Sequence, residues 1–66
     1  MKQAIKQAVQ TLIGEKRRQG DVLPFATSIE VAHLLGVKSP EVERASKEIE
    51  EIEIVKTDNH EIYYEV

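Results

Sequence analysis

One short stretch near the middle of the chain concentrates side chains that can bind anions and form directed hydrogen bonds. The guanidinium of Arg44 can donate two parallel hydrogen bonds, whereas the carboxylate of Glu43, one residue earlier, can only accept them. Lys38 and Lys47 flank this pair with positive charge, and Ser39 adds a hydroxyl. This set of groups suits a polyanion that also carries hydrogen-bonding edges.

The same residues also fit an ordinary solvent-facing helix. Glu43 with Lys47, Arg44 with Glu48, and Lys47 with Glu51 all have the i,i+4 spacing of helix surface ion pairs. The residue types alone therefore leave a binding surface and a solvated surface as alternatives.

The charge of the whole chain is unfavourable for nucleic acid, because 66 residues carry a formal net charge of -3. Residues 1–20 hold five basic residues and one acid, a net of +4, and residues 21–66 hold four basic residues and eleven acids, a net of -7. DNA binding would need local basic patches. Four acids, Glu48, Glu50, Glu51 and Glu53, must then point away from DNA or mark a protein partner.

No other residues suggest catalysis or a cofactor. The chain has no cysteine, no glycine-rich phosphate loop and two histidines, His33 and His60, without ligand spacing. We predict a protein that is not an enzyme and that needs neither a metal nor a cofactor. Polar residues interrupt the first apolar positions, so we expect no signal peptide, no membrane span and a cytoplasmic location.

The elements that position these residues begin with a helix over about residues 2–19. Ile5, Val9 and Ile13 recur on one face at helical spacing, and Gly20 is placed to cap the end. Residues 22–25 are predicted as a short extended strand at a sheet edge, because Pro24 lacks an amide hydrogen.

Two short helices follow. Thr27 and Glu30 have the spacing of a capping box for a helix that runs to about Leu35 and ends at Gly36. In this helix Ile29, Val31, Ala32 and Leu35 are predicted to be partly buried. Ser39 as N-cap and Pro40 in the first helical position then predict a third helix, with Val42, Ala45 and Ile49 as its buried stripe.

The C-terminal part is predicted to be a β-hairpin. Ile52 and Ile54 are expected to continue the core into the first strand, and residues 57–60 have turn chemistry. In the last strand Ile62, Tyr64 and Val66 alternate with polar positions, which is typical of a half-buried strand.

Residues 28–45 resemble the helix-turn-helix of winged-helix regulators from bacteria and phages. The residues that carry the resemblance are Val31, Ala32, Leu35, Gly36, Val37 and Val42. The flanking strand and hairpin extend it over nearly the whole chain. It implies an α+β fold, a winged helix-turn-helix with a three-helix core, a short strand and a C-terminal β-hairpin, as one domain over residues 1–66. Ala45 departs from the family, which usually has a larger aliphatic residue there.

The resemblance implies that the third helix enters the major groove of double-stranded DNA. Arg44 would then donate two hydrogen bonds to a guanine edge, and Glu43 would accept one from cytosine. Lys38, Ser39 and Lys47 would contact phosphates. The expected DNA-binding residues of this helix are Lys38, Ser39, Pro40, Glu43, Arg44 and Lys47.

The hairpin tip would be the wing, and its expected contacts are Lys56, Thr57, Asn59 and His60. An ordinary turn explains these four residues equally well. The basic cluster at residues 16–18 either contacts phosphate or favours the negative end of the first helix.

The resulting hypothesis is a sequence-specific DNA-binding regulator of transcription. The alternative is a winged-helix module that binds a protein through its acidic third helix and hairpin, without DNA. Few phosphate contacts are available to one copy, so a homodimer is a further hypothesis, through the first helix or the strand edge at residues 62–66.

Overall fold

The structure, a computed structural model, describes residues 1–58 and 61–65, and for residues 56, 58 and 61 the backbone alone. Three helices and a three-stranded antiparallel sheet make up this part of the chain, which confirms the α+β prediction. In chain order the elements are α1 (Lys2–Arg18), β1 (Ala26–Thr27), α2 (Ser28–Leu35), α3 (Ser39–Ser46), β2 (Glu53–Asp58) and β3 (Glu61–Glu65).

The sheet has the order β1-β3-β2, so the last strand lies in the middle. Ala26 pairs with Tyr64 on one side of β3, and Glu53 pairs with Glu65 on the other, with a register shift between Ile54 and Lys56. The prediction of a free strand edge at residues 62–66 is therefore wrong for the described residues, because β1 covers β3. Val66 lies outside them. The outer edge on the hairpin side belongs to β2.

The first strand lies later in the chain than predicted. Residues 22–25 are not a strand, and Val22 and Leu23 are 88% and 77% exposed. The two-residue β1 instead begins at Ala26, which is fully buried and, unlike Pro24, has an amide hydrogen for the ladder. The sheet thus forms where burial and hydrogen bonding coincide.

The predicted ends of α1 and α2 are confirmed by local geometry. Gly20 follows α1 with a φ of 101°, which favours glycine. At the start of α2 the Thr27 hydroxyl accepts from the Glu30 amide at 3.2 Å, and the Glu30 carboxylate accepts from the Thr27 amide at 3.1 Å. Gly36 ends α2 in the left-handed conformation, with φ 71° and ψ 30°.

The third helix begins at Ser39, one residue earlier than predicted, and it also ends sooner than predicted. Lys38 occupies the N-cap position without a side-chain cap, so the assignment of Ser39 as N-cap is wrong and Pro40 is the second helical residue. The helix stops at Ser46. The amides of Glu48 and Ile49 bond carbonyls three residues earlier, which tightens the backbone and ends the α-helical pattern.

The core lies between the helices and the inner face of the sheet. Ile49 and Ile52 are buried as predicted, although Ile49 follows α3 and is not part of it. The burial predicted for Ile29 and Ile54 is wrong, since they are 49% and 42% exposed. The buried apolar residues among those described are Ile5, Ala8, Val9, Ile13, Ala26, Val31, Ala32, Val42, Ile49, Ile52, Ile62 and Tyr64.

Candidate nucleic-acid interface

Helix α3 is fixed against α2 by the short connection at residues 36–38. The left-handed Gly36 reverses the chain, and the Val37 amide bonds the Ala32 carbonyl at 3.0 Å. Ala32 is buried in this arrangement at 4% exposure, and Val42 on α3 is fully buried. The small Ala32 side chain and the turn together decide which face of α3 meets solvent.

The outward face of α3 carries most of the side chains predicted to contact DNA. Lys38, Pro40, Arg44 and Lys47 are exposed, and Ser39 is half-buried. None of the three basic residues forms a salt bridge with any carboxylate of the described residues. Three cations on this short stretch are therefore available to a ligand.

Glu43 points inward and is bonded to the protein itself. It is half-buried, and its Oε2 accepts a hydrogen bond from the Ser28 hydroxyl at 3.4 Å. The exposed acid of α3 is Glu41, in the first turn of the helix. The predicted contact of Glu43 with cytosine competes with this internal bond.

A buried polar network connects α3 to the central strand. The Ser28 hydroxyl accepts from the Ile62 amide at 3.0 Å, and the Tyr64 hydroxyl donates to the Ser46 oxygen at 2.7 Å. Ser46 in turn donates to the Glu43 carbonyl at 3.0 Å. Burial raises the pKa of the Tyr64 hydroxyl, the Glu43 charge adds to this, and the bond to Ser46 opposes it. These residues position α3.

Three residues of this positioning network are not among the site residues predicted from the sequence. Ser28, Ser46 and Tyr64 join residues that are 18 and 34 positions apart. Periodicity indicates that Tyr64 faces inward, but it does not reveal which hydroxyl its own hydroxyl will meet. A buried hydroxyl needs a partner, but the burial of Ser28 and Ser46 is visible only in the structure, so the sequence contains no signal for this network.

Two of the four acids that follow α3, Glu48 and Glu51, pair with lysines of α1. Lys2 Nζ lies 2.9 Å from Glu48 Oε1, and Lys6 Nζ lies 3.6 Å from Glu51 Oε2. These two pairs differ from the i,i+4 pairs that an ordinary solvent-facing helix would give the same acids. They compensate part of the negative charge next to α3 and leave Arg44 without an acidic partner.

Within the basic cluster at residues 16–18, Lys16 has a structural role. Lys16 Nζ donates to the Phe25 carbonyl and lies 2.8 Å from Glu30 Oε1, and Arg18 lies 3.4 Å from Glu15 Oε1. Burial alone would raise the pKa of Glu30, but hydrogen bonds from Lys16 and Thr27 and the Lys16 charge hold it below 4.5. Lys16 is therefore committed to joining α1, the following loop and α2, and Arg17 is exposed.

The predicted wing is described only in part. Thr57 is exposed on β2, close to the end of the strand. Asn59 and His60 lie outside the described residues, as does the Lys56 side chain.

Within residues 1–58 and 61–65, no group of three or more histidine, cysteine or acidic side chains is arranged to hold a metal ion. No helix in that part of the chain is long and apolar enough to cross a membrane. A scan of family models, a search of curated proteins and a search of solved structures each gave no match to this chain.

Proposed function

We propose that this chain is a winged helix-turn-helix domain that binds double-stranded DNA in a sequence-specific way and regulates transcription. Helix α3 enters the major groove, Arg44 contacts a base edge, and Lys38, Ser39 and Lys47 contact phosphates. The β2–β3 hairpin is the wing.

The observation that carries this proposal is the set of unpaired cations on the outward face of α3. Lys38, Arg44 and Lys47 are exposed on a helix that a three-residue turn holds against α2, which is the arrangement of a helix-turn-helix. The element order and the β1-β3-β2 sheet further support a winged helix.

The decisive experiment is selection of binding sites from a random duplex pool, followed by titration of the selected duplex at several salt concentrations. With about three phosphates contacted, log affinity should fall with log salt at a slope of about -3. Enrichment of one motif with a guanine at a fixed position supports the proposal. Absence of binding to any duplex at low salt overturns it.

A second candidate function is binding to a basic protein partner through the segment after α3. Glu48, Glu50, Glu51 and Glu53 are all exposed, and only Glu48 and Glu51 have salt-bridge partners in the described part of the chain. Retention of a lysine-rich peptide, together with the absence of duplex binding, would favour this function.

A further inference from the structure

A second surface of the molecule is apolar and lies open to solvent. Leu12 of α1 and Ile29, Glu30, His33 and Leu34 of α2 line a groove of about 390 Å³ between the two helices. Ile29 is 49% exposed and Leu34 is 52% exposed. We call this the α1–α2 groove.

The loop before β1 exposes a pair of aliphatic side chains that match the groove in character. Val22 is 88% exposed and Leu23 is 77% exposed, the highest values among the exposed large hydrophobic residues of the described chain. Pro24, which follows directly, is buried and restricts the backbone next to them. Val22 and Leu23 therefore project from a loop whose backbone is restricted, and we call this pair the protrusion. Aliphatic side chains of this size can fill an apolar groove.

The loop that carries this protrusion is linked to the rim of the α1–α2 groove. Lys16 Nζ bonds both the Phe25 carbonyl and Glu30 Oε1, so the loop and the groove rim meet at one ammonium group. Leu23 lies two residues before Phe25, a reach of at most about 7 Å. One surface patch therefore presents both an apolar protrusion and an apolar groove.

We propose that this chain forms a twofold dimer in which Val22 and Leu23 of each copy occupy the α1–α2 groove of the other. A patch that carries both halves of a contact is self-complementary, and a twofold axis allows both insertions at once.

The charges at the rim favour the same arrangement. Glu30 is the one carboxylate among the groove-lining residues, and Lys16 of the same chain compensates its charge, so no unpaired charge of the lining opposes the entry of aliphatic side chains. Each copy contributes only two aliphatic side chains to the contact, so we expect a weak dimer with a dissociation constant of roughly 10–100 µM.

The test is sedimentation equilibrium of the full chain without DNA, from about 1 µM to about 1 mM, which brackets the expected constant. Since no duplex is present, the dimer and the proposed DNA binding can fail independently. We expect a monomer–dimer equilibrium that Leu23→Glu weakens at least about 100-fold, because a charge then enters each of two apolar grooves. Val55→Glu is the matched control, since Val55 is an exposed aliphatic residue on β2 at 47% exposure. It should leave the equilibrium unchanged.

A mixing experiment distinguishes this contact from other modes of pairing. Leu23→Glu and Leu34→Lys chains should each be monomeric alone and should form a mixed dimer, detected by native mass spectrometry with one chain isotope-labelled. In that dimer one groove contains a Glu–Lys pair and the other is native. If Leu34→Lys fails to fold by circular dichroism, Ile29→Lys replaces it. A wild-type monomer over the whole range, a failure to form the mixed dimer, or a dimer lost only in Val55→Glu would overturn the proposal.

Discussion

The basic residues of α1 and those of the α3 region carry the same charge, but most of the first set have carboxylate partners and the second set have none among the described residues. Four of the five basic side chains of α1 lie in salt bridges, and one of them, Lys16, also joins α1 to the following loop and to α2. Those around α3 are exposed and have no carboxylate partner among the described residues. The densest basic cluster of the sequence, residues 16–18, thus keeps only Arg17 free of a salt bridge with the described residues. Charge density along a chain is a poor measure of the charge that a ligand can reach. The members of the α3 set are Lys38, Arg44 and Lys47.

The largest expected difference between the two regions is in DNA discrimination. Arg44→Ala should cost about 1–3 kcal/mol of preference for the selected duplex over random duplex, because a guanidinium contact to a base edge is lost. The matched control is Arg18→Ala, which removes an exposed arginine that is paired with Glu15 and should change neither affinity nor preference. Fluorescence anisotropy on both duplexes measures the effect. Equal losses on the two duplexes would make Arg44 a phosphate contact.

Lys16 should behave in the opposite way and affect folding more than binding. Lys16→Met keeps the length of the side chain and removes the donor to the Phe25 carbonyl and to Glu30. Because these groups are partly solvated, we expect a loss of about 1 kcal/mol in the free energy of unfolding. Urea denaturation measures it, and Arg17→Met, at an exposed neighbour, provides the control. If Lys16→Met left the free energy of unfolding unchanged and weakened DNA binding, Lys16 would be a DNA contact and not a structural residue.

The Lys16–Glu30 contact also predicts a dependence of stability on acid. The pKa of Glu30 is lower in the folded chain than its ordinary value of 4.5, so folding favours the ionised carboxylate. That contribution is complete above pH 4.5 and is lost as the pH falls through the lowered value. Thermal melts from neutral to acid pH should show a smaller decline in Glu30→Gln than in the wild-type chain. Parallel declines in the two proteins would exclude Glu30 as a source.

The smallest effect is expected at the exposed end of α1. Lys2 and Glu48 are both largely exposed, at 57% and 66%, so Lys2→Gln should change the free energy of unfolding by less than about 0.5 kcal/mol. The effect should disappear at high salt because exposed pairs are screened. Thermal melts at two ionic strengths can detect it. A change that persists at high salt would mean that the contact does more than pair two surface charges.

Local chemistry determined which features could be predicted from the sequence. The capping box of Thr27 and Glu30 and the left-handed Gly36 depend on neighbours within a few residues, and both are confirmed. The outward position of Arg44 follows from helical periodicity for the same reason. The predicted strand at residues 22–25 is wrong because β1 depends on pairing with β3, nearly forty residues later.

The errors within the candidate site have the same origin. The sequence places Glu43 on the binding surface because its spacing fits the outer face, but the Ser28 hydroxyl on another helix bonds its carboxylate. Likewise, Glu48 and Glu51 have the spacing for i,i+4 partners but pair with lysines of α1, which lies at the other end of the sequence. Contacts between distant segments compete with local ones, and a single sequence gives no measure of which will prevail.

The division of α3 into an anchored side and an open side has a consequence for protein engineering. Glu43 and Ser46 secure the helix to the strand and α2, whereas Pro40, Arg44 and Lys47 contribute nothing to the buried core. The outward positions can therefore be randomised as a library while the anchored ones are kept constant, with little penalty for folding. Helix α3 is in this sense an exchangeable cassette, and new binding preferences can be selected on it without redesign of the scaffold.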